Sequence, residues 1–343
     1  MADKGKVTIY DIAKEAGVSA STVSRVYNGH RNVSAKKRDE IEALLKKYNY
    51  VPDALATGLR KTSTKTLGVI ASDLRNPFFS HLLIECEKTA DLNGYTVFSC
   101  DTLESVEMEI GHFMRLANQK VDAVIQLGGS SDAKQGSEAY LQCIKNISER
   151  IPIITTGYSF YDNCYSVMTD EARAMQTLLE YLINLGHREI AFVGGLEHVR
   201  STGEKRRQYR ETLAKRGIPF REDYVVETDY DKESGYNGTV GLLAGEDIPS
   251  ALIMVNEMTA VGAMKAVREK GLSIPKDISM VCFDNTYISE MTTPALTAVG
   301  CHYGKFAQKL VYTALDAAGM HKPERISYVE SVFVIRESAR THV

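Results

Sequence analysis

The chain has 343 residues, 44% of them hydrophobic and 25% charged, which excludes a fibrous or disordered protein and allows two or three domains. No apolar run reaches the roughly 18 residues of a membrane span, and the polar N-terminus lacks the apolar core of an export signal. The net charge of −3 conceals a basic head: residues 1–65 hold 13 Lys and Arg against 7 Asp and Glu, leaving 28 and 37 for the rest, a division that points the head toward a polyanion.

Thr8 with Asp11 three residues on reads as a capping box opening a first helix, with Ile9, Ile12, Ala13 and Ala16 on its inner side. Gly17-Val18 ends it. Ser19 caps a second helix running to about Asn28, whose inner face is Val18, Val23 and Val26. Two short helices joined by a tight turn form a helix-turn-helix. Ser21, Thr22, Ser24 and Arg25 face outward, with the sizes and polarity needed to reach phosphates and base edges. A third helix after Ser34 carries Ile41, Leu44, Leu45 and Tyr48 on one stripe and buries the other two. Beyond Pro52, residues 53–60 make two marginal helical turns, weakened by Gly58, that need a partner to form. A linker of Lys, Thr and Ser follows to Thr66.

From Leu67 the pattern alternates. Apolar runs at 67–71, 96–98, 123–127, 152–155, 190–195, 251–255 and 278–282 read as buried strands, and helical stretches, such as 78–93, lie between most of them. This alternation implies parallel, doubly wound sheets. About 275 residues is long for one open sheet, so two α/β halves sharing a cleft at their strand ends are expected. Asp73, Asn76, Phe78 and Phe79 follow the first strand and are placed on the cleft wall. Cys86, Cys100, Cys143, Cys164, Cys282 and Cys301 form no C-x-x-C pair and read as reduced, mostly buried thiols. Asp229, Asp231, Glu233 and Gly235 open like a calcium loop, but its twelfth position is Val240, so the bidentate Glu is missing. No nucleophile elbow, phosphate loop or catalytic carboxylate pair stands out.

The run Val7-Thr8-Ile9-Tyr10-Asp11-Ile12-Ala13, then Ala16-Gly17-Val18-Ser19 and Thr22-Val23-Ser24-Arg25-Val26, resembles the N-terminus of the LacI/GalR family of bacterial transcription regulators. Val33-Ser34 and Tyr48-Asn49-Tyr50-Val51-Pro52 continue the match. Leu185-Gly186-His187-Arg188, Pro275-Lys276-Asp277-Ile278-Ser279, Phe283-Asp284-Asn285 and Pro294-Ala295-Leu296-Thr297 extend it through the body. The resemblance implies an α/β chain with a helix-turn-helix head at 1–51, a hinge helix and linker at 52–65, and an effector-binding and dimerisation body at 66–343. That body is similar to the periplasmic sugar-binding proteins. Its first subdomain is expected at about 66–165 and 295–325, its second at about 168–292 and 326–340.

The resemblance also assigns roles. Ala20, Ser21 and Arg25 stand at base-reading positions, and Thr8, Tyr10, Ser19, Thr22, Ser24, Asn28 and His30 at phosphate-holding ones. Leu59 matches a leucine that wedges into the minor groove, and Ala56 its small neighbour. Asp284 matches a sugar-binding Asp and Asn256 a cleft Asn; Asp170 and Tyr303 are further candidates. Lys205 replaces an effector-binding Arg and loses its fork geometry. Glu257 and Cys282 also depart from the pattern, and Gly157 stands where some members carry an Asp. With Arg206, Arg207 and Arg210, Lys205 forms a basic run that reads as a solvated helix face or, if it faces the cleft, as part of an anion site.

The implied function is that of a cytoplasmic bacterial repressor. Its expected partners are double-stranded operator DNA, a second copy of the chain and a sugar, sugar acid or sugar phosphate. No cofactor, metal or membrane is expected. Two alternatives remain: a carbon-catabolite-type regulator with a phosphorylated carrier protein as corepressor, and a sugar-metabolising enzyme with a DNA-binding head.

Overall fold

Thr8 starts α1 (Ile9–Glu15): its hydroxyl and amide both bond to the Asp11 carboxylate, at 2.6 and 2.8 Å, and Asp11 N–H returns to Thr8 Oγ1. Ser19 Oγ accepts from Thr22 N–H and opens α2 (Ala20–Tyr27); α3 (Ala35–Lys47) follows Ser34. Ile12, Ala13, Ala16, Val23, Val26 and Ile41 form the core, with Val18, Leu44, Leu45 and Tyr48 packed on it. Glu15 joins the first helix to the third through Lys47 (2.8 Å) and Tyr48 Oη (2.6 Å). The computed structural model describes residues 7–27, 33–48, 50, 63–158, 161–245, 247–319 and 321–342. Asn28, His30, Ala56 and Leu59, and with them the expected hinge helix, lie outside the described residues. The chain divides into two units, residues 1–64 and 65–343.

The body begins with β1 (Thr66–Ala71), α4 (Pro77–Leu92), β2 (Thr96–Asp101), α5 (Val106–Asn118), β3 (Ala123–Leu127), α6 (Glu138–Ser148), β4 (Ile153–Thr155) and β5 (Cys164–Thr169). It continues with α7 (Glu171–Asn184), β6 (Ile190–Val193), α8 (Arg200–Lys215), β7 (Val225–Val226), α9 (Lys232–Leu243), β8 (Ala251–Met254), α10 (Glu257–Glu269) and β9 (Ser279–Asp284). The last elements are α11 (Ile288–Met291), β10 (Thr297–Cys301), α12 (Tyr303–Ala318), β11 (Ile326–Val329) and β12 (Ser331–Val334). Two six-stranded sheets result, ordered β11-β5-β4-β3-β1-β2 and β12-β10-β9-β8-β6-β7. All pairings are parallel except β10 with β12. Central strands such as β3 and β8 are buried throughout, as a sheet covered by helices on both faces requires.

The seven strands expected from apolar runs are all present, and β5, β7, β10, β11 and β12 add to them. The crossings between sheets also differ from expectation. Thr297–Cys301 pairs with β9 and so belongs to the second half, not the first, while Ile326–Val329 pairs with β5 in the first half, not the second. The chain therefore crosses after Thr169, after Cys301 and after Val329. Strand pairing fixes these points, and a single sequence carries no pairing signal for short, partly polar strands.

Candidate effector cleft and DNA-binding face

The carboxyl ends of the two sheets face each other. From the first half, the loop after β3 reaches across: Asp132 accepts from Ser201 Oγ (2.5 Å), Ser201 N–H (3.2 Å) and Arg200 (3.3 Å) of the second half. Ala133 and Val199 form a backbone bridge, Lys134 N–H donates to His198 O at 2.8 Å, and Lys134 pairs with Glu197. Burial pushes the Asp132 carboxyl up, against the opposing pull of Ser201 and Arg200. The Arg200 guanidinium also lies 3.4 Å from the ring centroid of Tyr158, a first-half residue. Beside it, Gly157 is dictated by space: a Cβ there would sit 2.2 Å from Ser131 O. The Asp that some members carry at this position cannot fit this backbone.

Asp284 ends β9 with φ +82°, followed by Asn285 at +51°. Asp and Asn tolerate this left-handed region better than other L-residues, and the strain is held from several sides. Tyr303 Oη donates to Asp284 O at 2.9 Å, and Arg336 donates to Asn285 Oδ1 at 2.8 Å. Gly300 permits the approach, since a Cβ there would lie 2.0 Å from Asp284 O. The Asp284 carboxylate is part-exposed, and no described donor reaches it. Its carboxyl is held well above the usual range by desolvation first and by the Glu257 charge second, with Lys205 opposing.

Lys205 Nζ lies 2.6 Å from Glu171 Oε2 and 4.8 Å from the Phe283 ring centroid. Burial alone would lower the Lys205 pKa, but the Glu171 charge and hydrogen bond raise it; the same pairing overcomes burial and lowers Glu171. The aromatic side is Phe78, Phe79, Tyr303 and His81. Phe78 meets Tyr303 edge-on at 5.8 Å, and His81 stacks on Tyr303 at 4.2 Å.

The structure thus groups Phe78, Tyr303, Asp284 and Lys205. Other expected cleft residues have local partners. Asp73 pairs with Arg75 at 2.8 Å. Asn76 and Asp170 cap α4 and α7. Asn256 caps α10 and donates to Tyr230 O, leaving little for a ligand, and it is 2% exposed. Glu257 is buried and accepts from Thr286 N–H and Ser289 Oγ, so its extra methylene relative to Asp braces the loop after β9. Arg206, Arg207 and Arg210 pair with Glu197, Glu211 and Glu222, and Lys205 with Glu171, so each cation of the basic run has a carboxylate partner. Asp231 caps α9. All six cysteines are free, and among the described residues no group of side chains is arranged for a metal ion.

On the head, Ser21, Arg25, Tyr10 and Tyr27 are exposed, Ala20, Thr22 and Ser24 half-buried. Ser19 Oγ bonds to Ser21 Oγ (2.8 Å) and Thr22 Oγ1 (2.9 Å), which pre-orders the start of α2.

Residues 8–53 match the bacterial regulatory proteins of the lacI family, and residues 179–339 match the periplasmic binding protein-like domain. The chain is 30% identical over 335 residues to catabolite control protein A of Priestia megaterium, covering 95% of this chain and 99% of that one. It is 33% identical to the HTH-type transcriptional regulator DegA of Bacillus subtilis, over 86% of each. The chain belongs to the LacI family of bacterial regulatory proteins.

As a LacI-family transcriptional regulator it also shares its fold with the lac repressor dimer bound to operator and the anti-inducer ONPF. The TM-score is 0.87 at 26% identity, covering 97% of this chain and 99% of that one. The LacI-family motifs led to Asp284, Lys205 and the head. They did not lead to Asp132, Glu171, Arg200 or Ser201. Asp132 and Ser201 follow the strands at 123–127 and 190–193, so the rule that ligands meet strand carboxyl ends was the available signal.

Proposed function

We propose that this chain is a homodimeric, operator-binding repressor whose DNA affinity is set by a neutral, hydroxyl-rich ligand held between the two body halves. Asp284 carries the ligand class. Half-buried Asp284, whose side chain no described donor reaches, can bond to hydroxyls, while half-buried Phe78 and Phe79 offer apolar surface for a ring's C–H face. Charge selects among sugar, sugar acid and sugar phosphate. Lys205 is already matched by Glu171, and Arg200 by Asp132 and Glu204 (2.8 Å). Among the described residues of this group, no cation is then left over to offset the charge of an anionic ligand.

In this reading Ala20, Ser21 and Arg25 read base edges, and Thr8, Tyr10, Ser19, Thr22, Ser24, Asn28 and His30 set register on phosphates. Ala56 and Leu59 act in the hinge at 52–65. The head is 1–51 and the body 66–343. The protein works in the bacterial cytoplasm and catalyses no reaction. Dimerisation is supported by the first-half apolar residues left exposed at edge strand β2 and nearby, Phe98, Leu103, Met108 and Met114, and by similarity to a dimeric repressor.

A thermal-shift panel of neutral sugars, sugar acids and sugar phosphates tests the reading. A neutral sugar should raise the melting temperature of the wild type and leave Asp284→Ala unmoved. Stabilisation by phosphorylated sugars alone, or an equal shift in Asp284→Ala, would overturn it. Similarity to catabolite control proteins favours a second reading: a carbon-catabolite regulator with a phosphorylated carrier protein as corepressor. In that case no free sugar shifts the protein, and a phosphorylated carrier raises operator affinity.

A further inference from the structure

Glu109 is a carboxylate inside the first half, 3% exposed, with no basic partner among the described residues. It projects from α5 beneath the loop that crosses the cleft. Its oxygens accept from Ser130 N–H, at 3.3 and 3.4 Å, and from Ser130 Oγ and Gln126 Nε2. Gln126 Oε1 in turn accepts from Tyr140 Oη at 2.9 Å. The contact is close enough that a Cβ on Gly129 would lie 2.5 Å from Glu109 Oε1. Two residues beyond Ser130, Asp132 meets Ser201 and Arg200; two further on, Lys134 meets His198 and Glu197.

A buried carboxylate without a cation costs several kcal/mol unless donors surround it. Packing alone does not call for a carboxylate at this position. The donors here come from the strap, which gives the carboxylate a use that packing does not.

We propose that Glu109 is the positioning residue of this inter-half strap: by clamping Ser130 it fixes the loop shape that lets Asp132 and Lys134 engage the second half. Its effect on ligand response rests on the cleft reading above; its effect on the strap does not. Two backbone amides report the strap directly, Lys134 N–H on His198 O and Ser201 N–H on Asp132.

Amide hydrogen exchange on the full-length, ligand-free protein tests it. In Glu109→Leu, segments 129–135 and 196–202 should both exchange roughly tenfold faster or more, while β3 and α5 keep their protection. Glu109→Gln, which still offers Ser130 an acceptor, should recover most of the protection. Ser130→Ala, a milder change should the leucine variant fail to fold, should loosen the same two segments. Loosening confined to 129–135, or spread evenly through the body, would overturn the proposal and leave Glu109 a local packing residue. If exchange behaves as expected but no ligand binds wild type, the cleft reading fails and the strap stands.

Discussion

Replacing Lys205 by Met should destabilise the body by about 3–5 kcal/mol, although Met fills nearly the same volume. At 2.6 Å from Glu171, with an effective dielectric near 20, the Coulomb attraction is about 6 kcal/mol. Desolvation consumes much of that in forming the pair, but removing one partner leaves the other charge without its ion pair, at roughly 3–5 kcal/mol, although Thr169 Oγ1 still donates to Glu171. The lost contact with Phe283 adds up to about 1 kcal/mol. Glu171→Gln should cost a similar amount, since the stranded cation is then Lys205. The double variant strands neither charge of the pair and should recover about 3 kcal/mol relative to the sum of the singles. Urea unfolding at pH 7, followed through tyrosine near-UV dichroism, measures all four proteins; the chain has 18 Tyr and no Trp. Lys205→Met costing under about 1 kcal/mol, or additive singles, would refute the buried-pair argument.

Asp284→Asn should stabilise the ligand-free body at neutral pH while removing the ligand response. The folded carboxyl is raised above its unfolded value of 3.8, so its favourable contribution is complete below that value and lost as pH rises through the folded one. The wild type should accordingly close the gap on the Asn variant as pH falls, which melting curves at several pH values would show. Gly157→Ala should cost about 1–3 kcal/mol by overpacking against Ser131 O, read in the same urea assay; a neutral substitution would contradict the contact. Arg25→Ala should reduce discrimination between operator and random DNA by about 1–3 kcal/mol per lost base contact. An equal loss on both DNAs in filter binding would make Arg25 a phosphate contact. Leu59→Ala should weaken operator binding and leave ligand binding intact; unchanged operator affinity would remove the wedge.

The head was legible because each of its signals is local. A capping box, an N-cap serine and an apolar stripe at helical spacing all act within a few residues. The buried strands announced themselves as apolar runs, since parallel strands covered on both faces need apolar side chains throughout. β5 (Cys-Tyr-Ser-Val-Met-Thr) and β11 (Ile-Ser-Tyr-Val) carry mixed residues, and β11 lies at a sheet edge with two exposed positions. Their identity as strands comes from partners more than 100 residues distant for β11, which explains the displaced crossing points. The cleft shows the same division. Asp284 and Lys205 stood in recognisable motifs, whereas Asp132 and Ser201 gain meaning only when two loops 69 residues apart meet. Asn256 shows the converse: a motif position whose side chain is spent on a helix cap and a loop carbonyl.

The central claim is that a ligand in the body cleft sets operator affinity. Operator binding by the full-length protein, measured with and without the sugar that stabilises it, tests this most directly in wild type and Asp284→Asn side by side. The account predicts that saturating ligand changes the wild-type operator Kd by roughly fivefold or more, the usual scale of allosteric coupling, and leaves the variant unchanged. A ligand that binds the wild type tightly yet leaves its operator Kd untouched, or shifts both proteins equally, would contradict it.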